Sequence, residues 1–152
     1  MPRFDFCRLN LYSDENIATI YRDDKIVAFM DANPAVEEGH VLVLPIRHYS
    51  LLTQMPVEEF SHLMLISHRI AVALKQAYQT DSIKVDIFDG EKTGGTVDHV
   101  HVHLIPRYDG DGFIPAAQPV YWKRYSERHG SEKGPPIEEL RKVVQKIKSY
   151  LA

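Results

Sequence analysis

The chain of 152 residues has one cysteine, one tryptophan, no excess of positive charge and no long apolar run. Each shortage excludes something. A lone thiol, Cys7, cannot close an intrachain disulfide, so a disulfide-stapled scaffold is ruled out. A single free thiol fits a reducing compartment, and a cytoplasmic location is expected. No stretch reaches the roughly 20 apolar residues that span a bilayer, so no membrane is expected as partner. Met1 to Asn10 mixes charges with aromatics and carries no apolar core of a signal peptide. A formal net charge of -3 provides no basic field for long nucleic acid. It leaves room for a small anion held by local donors. Internal repeats and low-complexity stretches are also missing.

What is present is ordinary globular material, 44% hydrophobic and 26% charged, of a length that suits one domain spanning residues 1–152. Ala18 to Tyr21 reads as an edge strand, Asp23-Asp24 as a turn, and Lys25 to Met30 as a strand. Asn33-Pro34 breaks the chain, Glu37-Glu38-Gly39 turns it, and His40 to Pro45 is β-branched and apolar. Pro56 to Thr80 is a long helix. Its apolar residues Phe60, Leu63, Ile66 or Ser67, Ile70, Leu74 and Ala77 recur at helical spacing, with Glu58 and Glu59 in the first turn. Lys84 to Phe88 alternates as a strand does, Asp89 to Thr96 is a glycine-bearing loop, and His99 to Pro106 is the next strand. Residues 107–136 lose periodicity and are expected to form an irregular loop. In that loop Lys123, Arg124 and Arg128 read as a solvated face, and Tyr121 and Trp122 as packing aromatics. Ile137 to Leu151 is a second amphipathic helix. Paired strands around one long helix predict an α+β fold, an antiparallel sheet of about five strands with helices on one face.

The chemistry concentrates in His99-Val100-His101-Val102-His103. Side chains alternate along a strand, so the three imidazoles are expected on one face, with Val100, Val102 and Leu104 on the other. Imidazoles at that spacing suit either of two jobs. They can ligate a metal ion. Alternatively, a neutral imidazole can attack phosphorus, provided its other nitrogen donates to a fixed acceptor. The loop just before them favours the second job, because Gly94, Gly95 and Thr96 can offer N–H groups and a hydroxyl to a phosphoryl group. His62, His68 and His129 read as surface residues without a role.

The run His99 to Ile105 matches the pattern His-φ-His-φ-His-φ-φ, φ being apolar, and so resembles the histidine triad (HIT) superfamily. The resemblance extends over about Phe6 to Arg107. It includes Ala28-Phe29-Met30-Asp31-Ala32-Asn33-Pro34, Gly39-His40-Val41-Leu42-Val43, and Pro45 followed by Arg47-His48. Thr96 to Arg107, with Gly112-Phe113, is most similar to the fragile-histidine-triad branch of dinucleoside polyphosphate hydrolases. The N-terminal half is similar to bacterial-type members.

That resemblance implies a division of labour. His101 would be the nucleophile on the α-phosphorus and form a nucleotidyl-histidine. His99 would position it through a main-chain carbonyl. His103 would meet the phosphoryl or bridging oxygen, with Thr96 beside it, and His40 would complete the cluster. Asp31 would bind ribose hydroxyls, the alternative being that it caps the Ala32-Asn33-Pro34 turn. Phe6, Leu9, Phe29 and Leu42 would surround the base, although the last two can equally be core. Substrates would be dinucleoside polyphosphates such as diadenosine tri- or tetraphosphate, with adenosine phosphoramidates as the alternative. A nucleotide-binding adaptor with little turnover is a further reading. No metal or other cofactor is expected, and the resemblance implies a homodimer built on the long helix and a neighbouring strand. Two positions depart from the pattern: Phe88 and Gly95 stand where relatives carry glutamines. Of a zinc site found in some members, Cys7, His48 and His99 remain as candidates.

Overall fold

Five strands account for the β-rich stretches: β1 (Thr19–Arg22), β2 (Ile26–Met30), β3 (Val41–Pro45), β4 (Ile83–Asp86) and β5 (Val102–Pro106). Among the described residues the two long helices are α1 (Val57–Ala77) and α2 (Ile137–Lys148). This computed structural model describes residues 17–95, 97–114, 128–130 and 134–152. The strands form one sheet in the order β1-β2-β3-β5-β4. Every pairing is antiparallel.

β2 and β3 are apolar without interruption, and all ten of their residues are buried. Both faces of the sheet are therefore covered at its centre. One face, carrying Ala28, Met30, Val41, Val43, Val102 and Leu104, packs with Leu63, Ile66, Ile70, Ala73 and Leu74 of α1. The other carries a smaller cluster of Ile17, Val27, Phe29, Leu42 and Leu44. Removing one of the fully buried leucines, such as Leu44 or Leu74, would cost about 2–5 kcal/mol. α2 lies against β1 and α1, burying Val144 and Ile147. No helix among the described residues is long and apolar enough to cross a membrane.

Several boundaries differ from expectation for local reasons. α1 ends at Ala77 rather than Thr80. Gln79 turns to φ +50, and the Thr80 N–H closes back on the Lys75 carbonyl at 3.0 Å, a left-handed stop of the Schellman kind. Pro56 caps the helix rather than occupying its first turn. Arg128 and His129, within the segment expected to be irregular, have helical backbone.

The β1–β2 turn is fastened to α1 by Asp23. Its Oδ1 accepts the N–H groups of Lys25 (2.8 Å) and Ile26 (2.7 Å). Its Oδ2 accepts the Tyr21 hydroxyl (2.7 Å) and lies 2.6 Å from His62 Nε2. His62 thus has a structural partner that its place on a helix surface did not disclose. Burial opposes ionisation of Asp23, but these hydrogen bonds outweigh it and hold the carboxyl well below the usual carboxylate range. A depressed carboxyl stabilises the fold fully above the unfolded value near ~4 and less as pH falls through the folded one. The melting temperature of Asp23→Asn is therefore expected to lie below that of the parent at pH 7, with the gap closing as pH drops below about 4. A gap that stays constant across that range would remove Asp23 from the account.

Candidate functional site

The register of the sheet aligns Phe29 with Leu42, Leu42 with His103, and His103 with Asp86. Residues directly opposite share a face, so this row lies on the side away from α1. The expected strand His99–Pro106 begins only at Val102. The reason is visible in the backbone before it. The His99 carbonyl is bonded by the His101 ring at 2.7 Å, the Pro45 carbonyl by the His99 ring at 2.7 Å, and the Val100 N–H goes to Tyr49 O at 2.8 Å. The two carbonyls are thus held by imidazoles and the Val100 N–H by the Tyr49 carbonyl, not by a continued β3–β5 ladder. Val100, Val102 and Leu104 do face the main core. The histidines are far more covered than a solvated strand face would be: His99 is 2% exposed, His101 and His103 5%, and His40 0%.

Burial forces each imidazole to account for its one proton. A carbonyl only accepts, so His101 carries hydrogen on Nδ1, and in the neutral ring the lone pair is on Nε2. By the same argument His99 is protonated on Nε2, toward Pro45 O. His40 runs the other way. Its Nδ1 receives the Ala35 N–H at 3.0 Å, so its proton is on Nε2. That nitrogen faces His103 Nδ1 at 2.9 Å and Asp31 Oδ2 at 3.4 Å. His103 Nδ1 therefore accepts, and its own proton is on Nε2. The rings of His101 and His103 meet at a 4.7 Å centroid separation, and those of His40 and His103 at 5.2 Å.

Asp31, His40 and His103 bring potential ligand atoms within 4.8 Å of one another. The donor set does not suit a cation. His40 would have to offer Nε2, but the Ala35 N–H directed at Nδ1 keeps the proton there. Asp31 also makes the turn contact weighed from its sequence, Oδ1 accepting the Asn33 N–H at 2.8 Å, while Oδ2 faces His40. His48 and His99 stand edge to face at 5.2 Å, and Cys7 lies outside the described residues.

Phe29 (4% exposed) and Leu42 (6%) belong to the smaller apolar cluster, on the same face as His103. Gly94 corrects the expectation of a phosphate-facing N–H. It sits at φ +91 ending a short 3-10 turn, and its N–H is directed at the Glu91 carbonyl at 3.3 Å. Gly95 serves closeness, since a Cβ there would lie 2.9 Å from Phe88 Cβ. Phe88 in turn sets its edge against His103, centroids 5.5 Å apart at 84°. The two departures from the family pattern are thus one coupled feature. Thr96, Phe6, Leu9, Tyr121 and Trp122 lie outside the described residues. Sequence reasoning passed over Pro45 O, Ala35 N–H and Arg128. The first two are backbone groups that no residue type reveals, and Arg128 looked like one more basic residue in a polar stretch. Arg128 is in fact buried, its side chain 7% exposed.

The family model described as the HIT domain matches residues 14–110. The chain belongs to the HIT family. A HIT-like protein of Methanocaldococcus jannaschii, described as uncharacterized, is 33% identical over 110 residues, covering 72% of this chain and 82% of the relative. A bis(5'-adenosyl)-triphosphatase of Dictyostelium discoideum is 42% identical over 69 residues, 45% of this chain and 46% of the relative. Among solved structures, a HIT-like protein from Bartonella henselae involved in cell-cycle regulation superimposes with a TM-score of 0.69 at 30% identity. That match covers 89% of this chain and 87% of that one. The five-stranded antiparallel sheet with its two helices is the α+β arrangement of the family.

The packing of Gly95 on Phe88 makes a coupled prediction. Gly95→Ala is expected to cost about 1–3 kcal/mol by overpacking. In a Phe88→Gly background most of that cost should vanish, because the Phe88 Cβ that the new methyl would meet is gone. Urea unfolding of the two single variants and the double variant measures the coupling, and strictly additive costs would contradict it.

Proposed function

We propose that this HIT-family chain is a nucleotide hydrolase that cleaves dinucleoside polyphosphates at the α-phosphate through a nucleotidyl-histidine intermediate. The observation that carries the reading is the 2.7 Å contact of His101 Nδ1 with the His99 carbonyl. It sets the lone pair of a neutral ring on Nε2, the state required of a nitrogen nucleophile at neutral pH. Attack forms an Nε2–P bond. The bond from phosphorus to the bridging oxygen breaks, and the leaving nucleotide takes the electron pair. Water then attacks the phosphorus, restoring His101 and releasing a nucleoside monophosphate. Negative charge on the phosphoryl oxygens is met by the Nε2–H of His103, by Thr96 and by the backbone around Gly95. Phe6, Leu9, Phe29 and Leu42 wall the base, and Asp31 accepts from the ribose. The Dictyostelium relative, whose name states hydrolysis of an adenosine dinucleotide triphosphate, supports this substrate class with adenine as base.

A second reading, adenosine phosphoramidase, is favoured by Phe88. The apolar edge against His103 suits an amine leaving group better than a second polyphosphate chain. A homodimer follows the same reading. β4 ends the sheet, and Val85 on it and Leu65 and Val72 on α1 are 48%, 56% and 44% exposed. A second copy would cover them. A reducing, aqueous compartment suits such a substrate.

His101→Ala is expected to lower turnover of diadenosine triphosphate by a factor on the order of 10⁴ or more. Nucleotide affinity should change by no more than about threefold, since uniform binding does not depend on the attacking nitrogen. Steady-state rates and isothermal titration with a non-hydrolysable analogue measure both. Turnover surviving in that variant would sink the mechanism. Parent rates on diadenosine triphosphate, diadenosine tetraphosphate and adenosine phosphoramidate decide between the two substrate readings.

A further inference from the structure

The histidine cluster is held from behind by a buried cation. Arg128 Nη2 donates to the Pro34 carbonyl at 2.8 Å and to the Val36 carbonyl at 3.0 Å. The Pro34 carbonyl and the Ala35 N–H belong to one peptide plane. In a trans peptide the two point in opposite directions. The guanidinium therefore grips the oxygen end of the plane whose hydrogen end meets His40 Nδ1 at 3.0 Å.

The rest of the segment is pinned as well. Ile114 N–H bonds the Ala35 carbonyl at 3.1 Å, and Glu37 N–H bonds the Asp111 carbonyl at 2.7 Å. The Tyr108 hydroxyl receives the Glu38 N–H at 2.9 Å and donates to the Glu38 carbonyl at 2.8 Å. Arg128 differs from these clamps in being charged. Among the described residues its acidic partner is Glu37, Oε1 at 3.4 Å from Nε, and its buried Nε and Nη1 make no hydrogen bond there. A buried guanidinium with unsatisfied nitrogens is costly and calls for a reason.

We propose that Arg128 is a positioning residue that fixes the tautomers of His40 and His103. It acts through the chain Arg128 to Pro34 carbonyl, Ala35 N–H to His40 Nδ1, and His40 Nε2–H to His103 Nδ1. A cation on a carbonyl oxygen polarises the peptide and makes its N–H a stronger donor. That donor keeps hydrogen off His40 Nδ1 and on Nε2, which in turn keeps hydrogen off His103 Nδ1 and on Nε2. His103 then presents an N–H, not a lone pair, wherever its Nε2 meets a substrate oxygen. No proton changes owner along this chain; it sets which nitrogens donate. Nothing in Arg128 touches the substrate, and its consequence for turnover rests on the role proposed above for His103.

The test uses the full chain with ¹⁵N-labelled histidine and reads the ring nitrogens of Arg128→Met and Arg128→Lys beside the parent. In the parent, His40 and His103 are expected wholly as the Nε2–H tautomer. In Arg128→Met both should become mixtures. kcat should fall by about 10-fold to 100-fold at an unchanged KM. Arg128→Lys, which keeps the charge without the fork, should lie between. If Arg128→Met does not fold, the lysine variant decides alone. Pure Nε2–H tautomers in a folded variant would overturn the proposal. Mixed tautomers with parental kcat would uphold it and count instead against His103 as a participant in turnover.

Discussion

An imidazole has two nitrogens and, when neutral, one proton, and in this protein main-chain groups decide where that proton sits. The carbonyl of His99 takes the Nδ1–H of His101, and the N–H of Ala35 takes the Nδ1 lone pair of His40. The difference between an acceptor and a donor at the same ring position gives the two histidines opposite tautomers. His103, whose Nδ1 faces His40 Nε2, inherits its tautomer from its neighbour. A cluster of otherwise equivalent side chains is thereby divided into one lone pair and one set of donors.

Such a division requires backbone that does not move, and the fold supplies it. β3 and β5 lie side by side at the sheet's centre, buried throughout, with α1 packed against one face. The His99 and Pro45 carbonyls lie where the ladder between these strands gives out, so they remain available to rings. The 34–39 turn, which carries the Ala35 donor, is clamped from the segment that follows β5. The geometry of the histidine cluster depends on tertiary packing around loops at strand ends, the usual place for function on a rigid scaffold.

Much of this was legible in the sequence because it is periodic. The spacing of Leu63, Ile70 and Leu74 gives α1 its buried face, and the apolar runs Ile26–Met30 and Val41–Pro45 give central strands. The triad spacing picked out one short segment, and the rings of His101 and His103 do meet there. What escaped depends on partners distant in sequence or on the main chain itself. β5 joins β3 across roughly sixty residues, a non-local choice that periodicity does not encode. The strand starts at Val102, and the groups just before it are held by imidazoles and by the Tyr49 carbonyl. Gly94 looked like a phosphate donor because glycine type does not say where its N–H is directed. Arg128 looked solvated because neighbouring basic residues hide a single buried one.

The central claim, that His101 Nε2 is the nucleophile, is tested most directly on the protein itself. The chain is mixed with a dinucleoside polyphosphate, quenched in the first turnover, and analysed by intact and peptide mass spectrometry. The account predicts a nucleoside monophosphate attached to the peptide containing residue 101 and stable to base but labile to acid, as an N–P bond is. A first turnover that completes with no adduct at any time point, or with the adduct on His99 or His103, would contradict it.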